Sequence, residues 1–441
     1  MKTTLFFLLA LAAWLPLSIA SALADSPMNK LAEDYVKLAL TVGAYAPGYI
    51  DAYSGPKEWV VTLDDGARRR GFPAAELRQR AEGILAALDK AGRAALPEQV
   101  RLRVEFLRKQ VTAVKAEIDV LSGRKFAFDQ ETRLFYDAVA PARGREELEK
   151  ALAALEAALP GAGSLQERWA AFRRQFVIPA AKLPAVIDAA IAECRRRTLL
   201  HIALPENESF RAEYVNDKPW AAYNWYKGNA FSVIEVNTDL PMHIDSALGL
   251  MAHEGYPGHH AYNALLEQKL VKEKGWIEFS VYPLYSPQSL IAEGTANYGI
   301  DLLFPGSEKL EFEKKVLYPL AGLDPKNAAE FSRVRKLLAG LRYAGIEAAR
   351  AYLDGGMPRE EARGWMERFG MQSPERSAKS LEFWDQYRSY VINYILGEDI
   401  VRAYVEGTAG KDATLERKWQ VFYELLTTPR TPSGLSGLGI R

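Results

Sequence analysis

The sequence has a single cysteine among its 441 residues, Cys194, so the chain cannot form an internal disulfide bond. Cys194 stands at helical spacing from Ile187 and Ile191, which predicts a buried core thiol rather than a catalytic nucleophile. Net charge is also absent, because 56 basic residues balance 56 acidic ones. Without a basic excess, nothing in the electrostatics favours a nucleic acid or an anionic membrane as partner.

Long hydrophobic runs are equally scarce, and the one candidate lies near the N-terminus, at residues 5–15. A lysine precedes this run, and the small-x-small triplet ALA at residues 22–24 has the form that signal peptidase reads. We therefore predict a signal peptide over residues 1–24, cleaved before Asp25. A retained membrane anchor is the alternative, but the run is short for a span and Pro16 interrupts it.

Export determines the expected location of the protein. No other segment is long and apolar enough to span a bilayer, so we expect no stable membrane insertion after signal cleavage. An exported chain without disulfides suits the periplasm of a bacterium, and secretion beyond it is the alternative. Nothing in the sequence specifies an oligomeric state.

Histidine is scarce too, yet three of the five histidines lie within eight residues, at His253, His259 and His260. They belong to the stretch LGLMAHEGYPGHHAYNALL. Imidazole is the commonest protein ligand for zinc, and Glu254, directly after the first histidine, is where a zinc hydrolase has its general base. The cluster therefore predicts a metal site.

The spacing of these histidines departs from the zinc signature H-E-x-x-H, in which the two ligands lie one helical turn apart. On a straight helix, His259 would be rotated by about 240° from His253, and His260 would lie about 10.5 Å away along the axis. Neither pair could share one ion. Pro257 and Gly258 can interrupt the helix, and a two-residue bulge there would return His259 to the second ligand position. His259 is the favoured ligand and His260 the alternative.

A third ligand is expected from the next helix, within SPQSLIAEGTANYGIDLL. Glu293 lies in the middle of this segment, where Ile291, Tyr298 and Leu302 form an apolar face. A buried carboxylate is costly unless it is paired or bound to a metal. A buried Glu–Arg pair is the alternative to a ligand role.

Apolar periodicity predicts a mainly α-helical fold. Between Pro97 and Gly123 the apolar residues alternate at spacings of four and three, typical of one buried helix face. FSVIEVN, at residues 231–237, is the best strand candidate and precedes the metal helix. The length favours two lobes. We predict an N-terminal helical region at 25–204 and a metal-binding catalytic region with C-terminal helices at 205–441.

The string HEGYPGHH followed by EGTANYG resembles the domain-of-unknown-function 885 (DUF885) family, bacterial proteins grouped with the gluzincin metallopeptidases. In that group a glutamate-glycine-x-alanine motif supplies the third zinc ligand, and the segment that begins at Glu293 matches it. The resemblance extends to GYIDAYSGPKEW and NYILGEDIVRAYV, so it covers most of the mature chain. It implies a multi-helix, gluzincin-like architecture with a short β edge beside the metal helix.

Three protein ligands leave one position of a zinc ion for water, as in catalytic sites. Glu254 would take a proton from that water and pass it to the leaving amine. The resemblance further implies that a C-terminal tyrosine stabilises the oxyanion, and Tyr394 and Tyr390 are the candidates. Arg388 and Arg402 are candidates for holding a substrate carboxylate, with surface charges as the alternative.

These observations predict an exported Zn²⁺-dependent hydrolase, most simply a metallopeptidase. The strand at 231–237 could pair with an extended peptide as a sheet edge, which favours a peptide over a small amide substrate. A zinc amidase acting on a non-peptide substrate is the second interpretation. A non-catalytic metal-binding or peptide-binding protein is the third, and the presence of Glu254 argues against it. Four nearby aromatic residues, Trp220, Tyr223, Trp225 and Tyr226, are expected to fill the core, and lining a cleft is the alternative.

Overall fold

The structure is a computed structural model that describes residues 16–437, with side chains from residue 27 onward. Residues 1–15 of the predicted signal peptide lie outside the described residues, so cleavage before Asp25 stays a prediction. Within residues 16–437, no helix combines the length and apolar character needed to cross a membrane.

Helices account for most of the described chain, which confirms the predicted mainly α fold. In the first half these are α1 (Pro16–Tyr45), α2 (Asp65–Arg70), α3 (Ala74–Ala91), α4 (Glu98–Leu121), α5 (Phe128–Tyr136), α6 (Arg145–Ala158), α7 (Leu165–Arg174) and α8 (Leu183–Thr198). In the second half they are α9 (Ile244–Glu254), α10 (His259–Leu265), α11 (Pro287–Leu303), α12 (Glu308–Phe312), α13 (Tyr318–Ala321), α14 (Ala328–Leu337), α15 (Ala344–Leu353), α16 (Arg359–Arg368), α17 (Pro374–Tyr387), α18 (Ile392–Ala409), α19 (Leu415–Leu426) and α20 (Pro432–Ser436).

Helix α4 shows how the apolar pattern sets the fold. It follows Pro97, and the predicted face, which runs from Val100 to Ile118, is buried. This face packs mainly against α3 and α1, whose apolar residues complete one hydrophobic cluster. A second and larger cluster runs from α4 to α20 and encloses the histidine segment, and it includes the buried thiol of Cys194. The predicted boundary at residue 204 stays a prediction.

Between residues 16 and 437, five short strands form two small sheets. They are β1 (Ile50–Tyr53), β2 (Ser209–Val215), β3 (Ala222–Tyr226), β4 (Phe231–Asn237) and β5 (Val281–Pro283). β1 pairs with β5, and the other three lie in the order β2-β4-β3, with β2 parallel and β3 antiparallel to β4.

The strand predicted at 231–237 is therefore present as β4, but the prediction that it is an edge strand is wrong. β2 and β3 pair with the two sides of β4, so β4 is the central strand of the sheet. Its β-branched side chains are largely buried, as expected for a central strand. The edge beside α9 is β3, where the side-chain amide of Asn224 donates to the backbone oxygen of Glu254 at 2.7 Å.

Candidate metal centre

The helix that carries the first histidine is broken where the sequence predicts. α9 ends at Glu254 and α10 begins at His259. Between them the backbone turns back on α9, and Gly258 donates its N–H to the carbonyl of Ala252 at 3.1 Å. A Cβ atom on Gly258 would lie 1.8 Å from the carbonyl oxygen of His253, so only glycine fits this approach. The break returns the second imidazole to the end of α9.

His253, His259 and Glu293 come together at this break. The two Nε2 atoms are 3.1 Å apart, and Glu293 Oε2 lies 3.1 Å from His253 Nε2 and 3.7 Å from His259 Nε2. Tetrahedral bonds of about 2.0–2.2 Å place neighbouring ligand atoms about 3.3–3.6 Å apart. The three side chains thus offer one ligand atom each at distances that suit a single ion.

Hydrogen bonds hold these side chains in place from behind. The Nδ1–H of His253 donates to Asn297 Oδ1 at 2.9 Å, which turns Nε2 toward the cluster. Asn297 in turn donates to the backbone oxygen of Tyr394 at 2.9 Å. The hydroxyl of Tyr390 donates to Glu293 Oε1 at 2.8 Å and leaves Oε2 facing the histidines. Such partners commonly orient the ligands of a metal site.

The donor set fits a cation. Glu293 is buried, yet its Oε2 accepts no hydrogen bond of normal geometry. Burial would raise the pKa of Glu293, but the positive charges of His259 and His253 hold the pKa well below its usual value. Burial lowers the pKa of His253, whereas Glu293 more than offsets this and raises it to about 9. The raised pKa of His253 shows that its surroundings stabilise a positive charge on the imidazole. A metal ion binds the same nitrogen as the proton, so these surroundings favour a cation there as well.

Glu254 lies beside the cluster and has a different environment. It is buried against the cleft, and within the described residues its carboxylate makes no hydrogen bond or ion pair. Burial raises the pKa of its carboxyl, and the charge of Glu293 acts in the same direction, while His253 and His259 oppose it. A carboxyl with a raised pKa and no protein partner suits a general base.

The two candidate tyrosines occupy different positions. The hydroxyl of Tyr390 donates to Glu293, so it is not free to contact a substrate in this arrangement. Tyr394 lines the cleft with its ring centroid 6.4 Å from that of His253, and its hydroxyl makes no hydrogen bond within the described residues. Of the two, Tyr394 alone has a free donor at the site.

His260, the alternative ligand, does not reach the cluster. It is fully buried on the other side of α10, where its Nε2–H donates to Glu208 Oε2 at 3.1 Å. The hydroxyl of Ser232 donates to its Nδ1 at 2.9 Å. Consecutive residues on a helix are rotated by about 100°, so His259 and His260 cannot both face the same site.

A cleft of about 630 Å³ opens over the cluster, and sequence reasoning missed one of its acidic residues. Asp51, on β1, lines the cleft and accepts a short hydrogen bond from the hydroxyl of Tyr223 on β3. Burial raises the pKa of Asp51 to about 6, and the charges of Glu293 and Glu254 act in the same direction. The only sequence signal for Asp51 is its place in the string GYIDAYSGPKEW. Tyr223 and Trp220 line the cleft rather than fill the core.

The remaining candidates lie outside the cleft. Arg388 pairs with Glu131 at 2.8 Å, and Arg402 pairs with Asp301 at 2.6 Å. Neither lines the cavity above the cluster, so the suggestion that they hold a substrate carboxylate gains no support.

Comparison with known proteins adds information about the fold. No family model matches the sequence, and no curated protein sequence matches it either. A protein from Colwellia psychrerythraea, provisionally described as a lipoprotein, has a similar structure, with a TM-score of 0.53 and 14% identity over 83% of this chain and 69% of that one. This similarity shows a shared fold.

Two further solved structures match less well. A protein of unknown function from Shewanella oneidensis, also provisionally described as a lipoprotein, has a TM-score of 0.42 and 12% identity, and the match covers 82% of this chain and 75% of that one. An M32 carboxypeptidase from Deinococcus radiodurans has a TM-score of 0.41 and 14% identity, over 95% of this chain and 97% of that one.

Proposed function

We propose that the protein is an exported zinc hydrolase that cleaves peptide bonds. One observation carries the proposal: two imidazole nitrogens and one carboxylate oxygen converge within 3.1–3.7 Å, next to a buried glutamate that has no protein partner. A structural zinc site is usually closed by four protein ligands, whereas three ligands and an open cleft are typical of catalysis. The resemblance of the HEGYPGHH and EGTANYG motifs to the DUF885 family supports the same conclusion.

Each residue has a part in the reaction that follows from its position. His253, His259 and Glu293 would hold the zinc ion, which when bound polarises the scissile carbonyl and acidifies water. Glu254 accepts a proton from the attacking water and delivers it to the leaving nitrogen. Tyr394 donates a hydrogen bond to the oxygen that becomes negative in the transition state. Tyr390 keeps the carboxylate of Glu293 in position.

The free edge of β3 favours a peptide over a small amide. The backbone of Ala221 accepts a hydrogen bond from Asn237, and that of Lys227 donates one to Phe231, so odd-numbered residues of this strand face β4. In an antiparallel pair the intervening residues direct their backbone groups to the other side. Ala222 and Asn224, which line the cleft, therefore offer N–H and C=O groups to an extended substrate.

Metal analysis and peptide hydrolysis test this proposal together. We expect about one equivalent of zinc in the wild type and in Glu254→Gln, and little in Glu293→Ala. Glu254→Gln should hydrolyse quenched-fluorescence peptides about 10²–10⁴-fold more slowly, the usual contribution of a general base. Glu117→Gln is the matched control, because Glu117 is also a buried carboxyl whose pKa burial raises, to about 7, but it lies outside the cleft.

Two results would contradict the proposal. One is a purified wild type that neither contains zinc nor takes it up. The other is a zinc-loaded wild type that cleaves no peptide library but hydrolyses small amides, which would establish the amidase alternative. Export is a separate part of the proposal, and N-terminal sequencing of the mature protein should find Asp25 first.

A further inference from the structure

The cleft continues beyond the metal centre into a second chamber. This chamber has a volume of about 540 Å³ and lies along the N-terminal half of α9. Trp220, Ser246, Leu250, Arg376 and Lys379 line both chambers, so the two adjoin along a shared wall and together form a groove. A substrate bound at the metal centre can therefore reach the second chamber.

Three arginines in this groove, Arg173, Arg174 and Arg376, have no acidic partner within the described residues. Arg173, on α7, lies in the wall of the second chamber, and its Nε is buried without a hydrogen bond. The guanidinium of Arg376, on α17, makes no ion pair or hydrogen bond within the described residues. Arg174 is exposed. Two other cations of the groove are paired, Arg335 with Asp245 at 2.6 Å and Lys379 with Asp239 at 3.3 Å.

The chamber has an excess of positive charge, because Arg173, Arg174, Arg376 and Lys379 line it and Glu167 is the one acidic residue among its described lining. Burial lowers the pKa of Arg173, and the charges of Arg335 and Arg376 act in the same direction while Asp245 opposes them. Arg376 is exposed where it lines the groove, so its guanidinium is accessible to a ligand. His243, at the start of α9, has its pKa lowered to about 4 by burial and by the charge of Arg173. Like charges brought together in a partly desolvated groove are unfavourable unless an anion joins them.

The distance between the chamber and the metal centre limits what that anion can be. Ser246 lines the chamber and precedes His253 by seven residues on the same helix. At about 1.5 Å per helical residue, the separation is about 10 Å. An extended peptide covers that distance in about three residues.

We propose that Arg173 and Arg376 form a subsite for a carboxylate of the substrate, two to four residues from the bond that is cleaved. This inference rests on the proposed peptidase function and specifies its substrate class. Guanidinium groups recognise carboxylates through charge-assisted, often bidentate hydrogen bonds. The carboxylate can belong to an acidic side chain or to the C-terminus of a peptide, and both offer the same chemistry.

Binding measurements test the subsite without relying on turnover. The probe is a set of alanine-based hexapeptides, titrated calorimetrically into the zinc-loaded Glu254→Gln protein. One peptide is capped at both ends and carries a glutamate, one has a free C-terminal carboxylate, and one is capped and neutral. We expect the peptides with a carboxylate to bind more tightly than the neutral one, with the tightest binding for whichever source of carboxylate reaches the chamber.

Arginine variants then test whether Arg173 and Arg376 cause the preference for a peptide with a carboxylate. Introducing Arg376→Gln or Arg173→Gln should weaken binding of the preferred peptide about 10- to 100-fold, the effect of losing one charge-assisted hydrogen bond, and leave the neutral peptide unchanged. Arg376→Lys should restore part of the loss because it keeps the charge. Arg363→Gln is the matched control, since Arg363 is an exposed arginine on α16 that lines neither chamber.

The outcomes separate this inference from the proposed function. Equal affinity for all three peptides, or equal losses for all three in the arginine variants, would overturn the subsite even if the wild type cleaves peptides. Arginine-dependent binding without any cleavage by the wild type would support the subsite and overturn the peptidase. A preference for the free terminus assigns exopeptidase character, and a preference for the internal glutamate assigns endopeptidase character.

Discussion

The two faces of α10 carry similar residues in opposite states. On the cleft side, His259 meets His253 and Glu293, and the Oε2 atom of Glu293 accepts no hydrogen bond of normal geometry within the described residues. On the rear side, His260 meets Glu208, whose two carboxylate oxygens accept hydrogen bonds from Arg195, Tyr256 and His260. Each side combines histidine with a buried glutamate.

The difference between the two faces separates a candidate binding site from a network that only stabilises the fold. A buried polar network that is fully satisfied stabilises one conformation, whereas unsatisfied polar atoms retain the capacity to bind something else. The rear network fixes the start of α10 and so sets the direction of the imidazole of His259. The cluster on the cleft side remains free for an ion and a substrate. Variants on the two faces should therefore fail in different ways.

The largest effect is expected from replacing one histidine of each environment, His253 or His260, by alanine. His253→Ala should lose zinc affinity by at least about 10³-fold, well beyond the effect of removing an outer partner, because it removes a direct ligand. His260→Ala should keep its zinc but lose about 2–4 kcal/mol of stability, because it leaves Glu208 partly unpaired in the interior. Metal titration and denaturant unfolding measure both quantities. Loss of zinc from a folded His260→Ala protein would contradict the distinction between the faces.

A smaller effect is expected from replacing Tyr394 or Tyr390 by phenylalanine, and the two variants should differ in what they change. Tyr394→Phe should retain zinc and lower kcat about 10²–10³-fold, as removal of an oxyanion donor does. Tyr390→Phe should instead weaken zinc binding by about 10- to 100-fold, because it releases the carboxylate of Glu293. Competition with a chelator and steady-state kinetics measure the two effects. If both variants changed kcat alone, the positioning role of Tyr390 would be wrong.

The smallest effect concerns the pH dependence of the rear network. Burial raises the pKa of Glu208, but hydrogen bonds from His260, Tyr256 and Arg195 lower it more, so the folded pKa is below the ordinary value of 4.5. Its contribution to stability is therefore complete above about pH 4.5 and is lost as the pH falls through the folded pKa. Glu208→Gln should lower Tm more at pH 7 than at pH 3. An equal change in Tm at both values would contradict this role.

Local features of the sequence predicted much of this arrangement. The spacing of apolar residues was enough for α4, because a helix buries one face at a fixed period. The break at Pro257 and Gly258 followed from the covalent limits of these two residues, and in the structure His259 is the histidine that lies beside His253 and Glu293.

What sequence reasoning could not supply are features that depend on distant partners. FSVIEVN was recognisable as a strand, but its central place in the sheet depends on β2 and β3. Tyr390 and Tyr394 differ only in what surrounds their hydroxyl groups. Asp51 and Arg376 reach the cleft through the tertiary fold, from segments more than 300 residues apart, so no local pattern links them to the histidines.

Helices α11 and α18 touch backbone to backbone, and a Cβ atom on Gly294 would lie 2.3 Å from the carbonyl oxygen of Gly397. Asn297 bonds the first helix to the second, and Tyr390 bonds to Glu293 just before the second begins. The carboxylate of Glu293 and both tyrosines thus belong to one closely packed wall of the cleft. We therefore expect any movement that admits a bulky substrate to come from the other walls of the cleft, such as β3 or α17. The wall formed by α11 and α18 would stay in place.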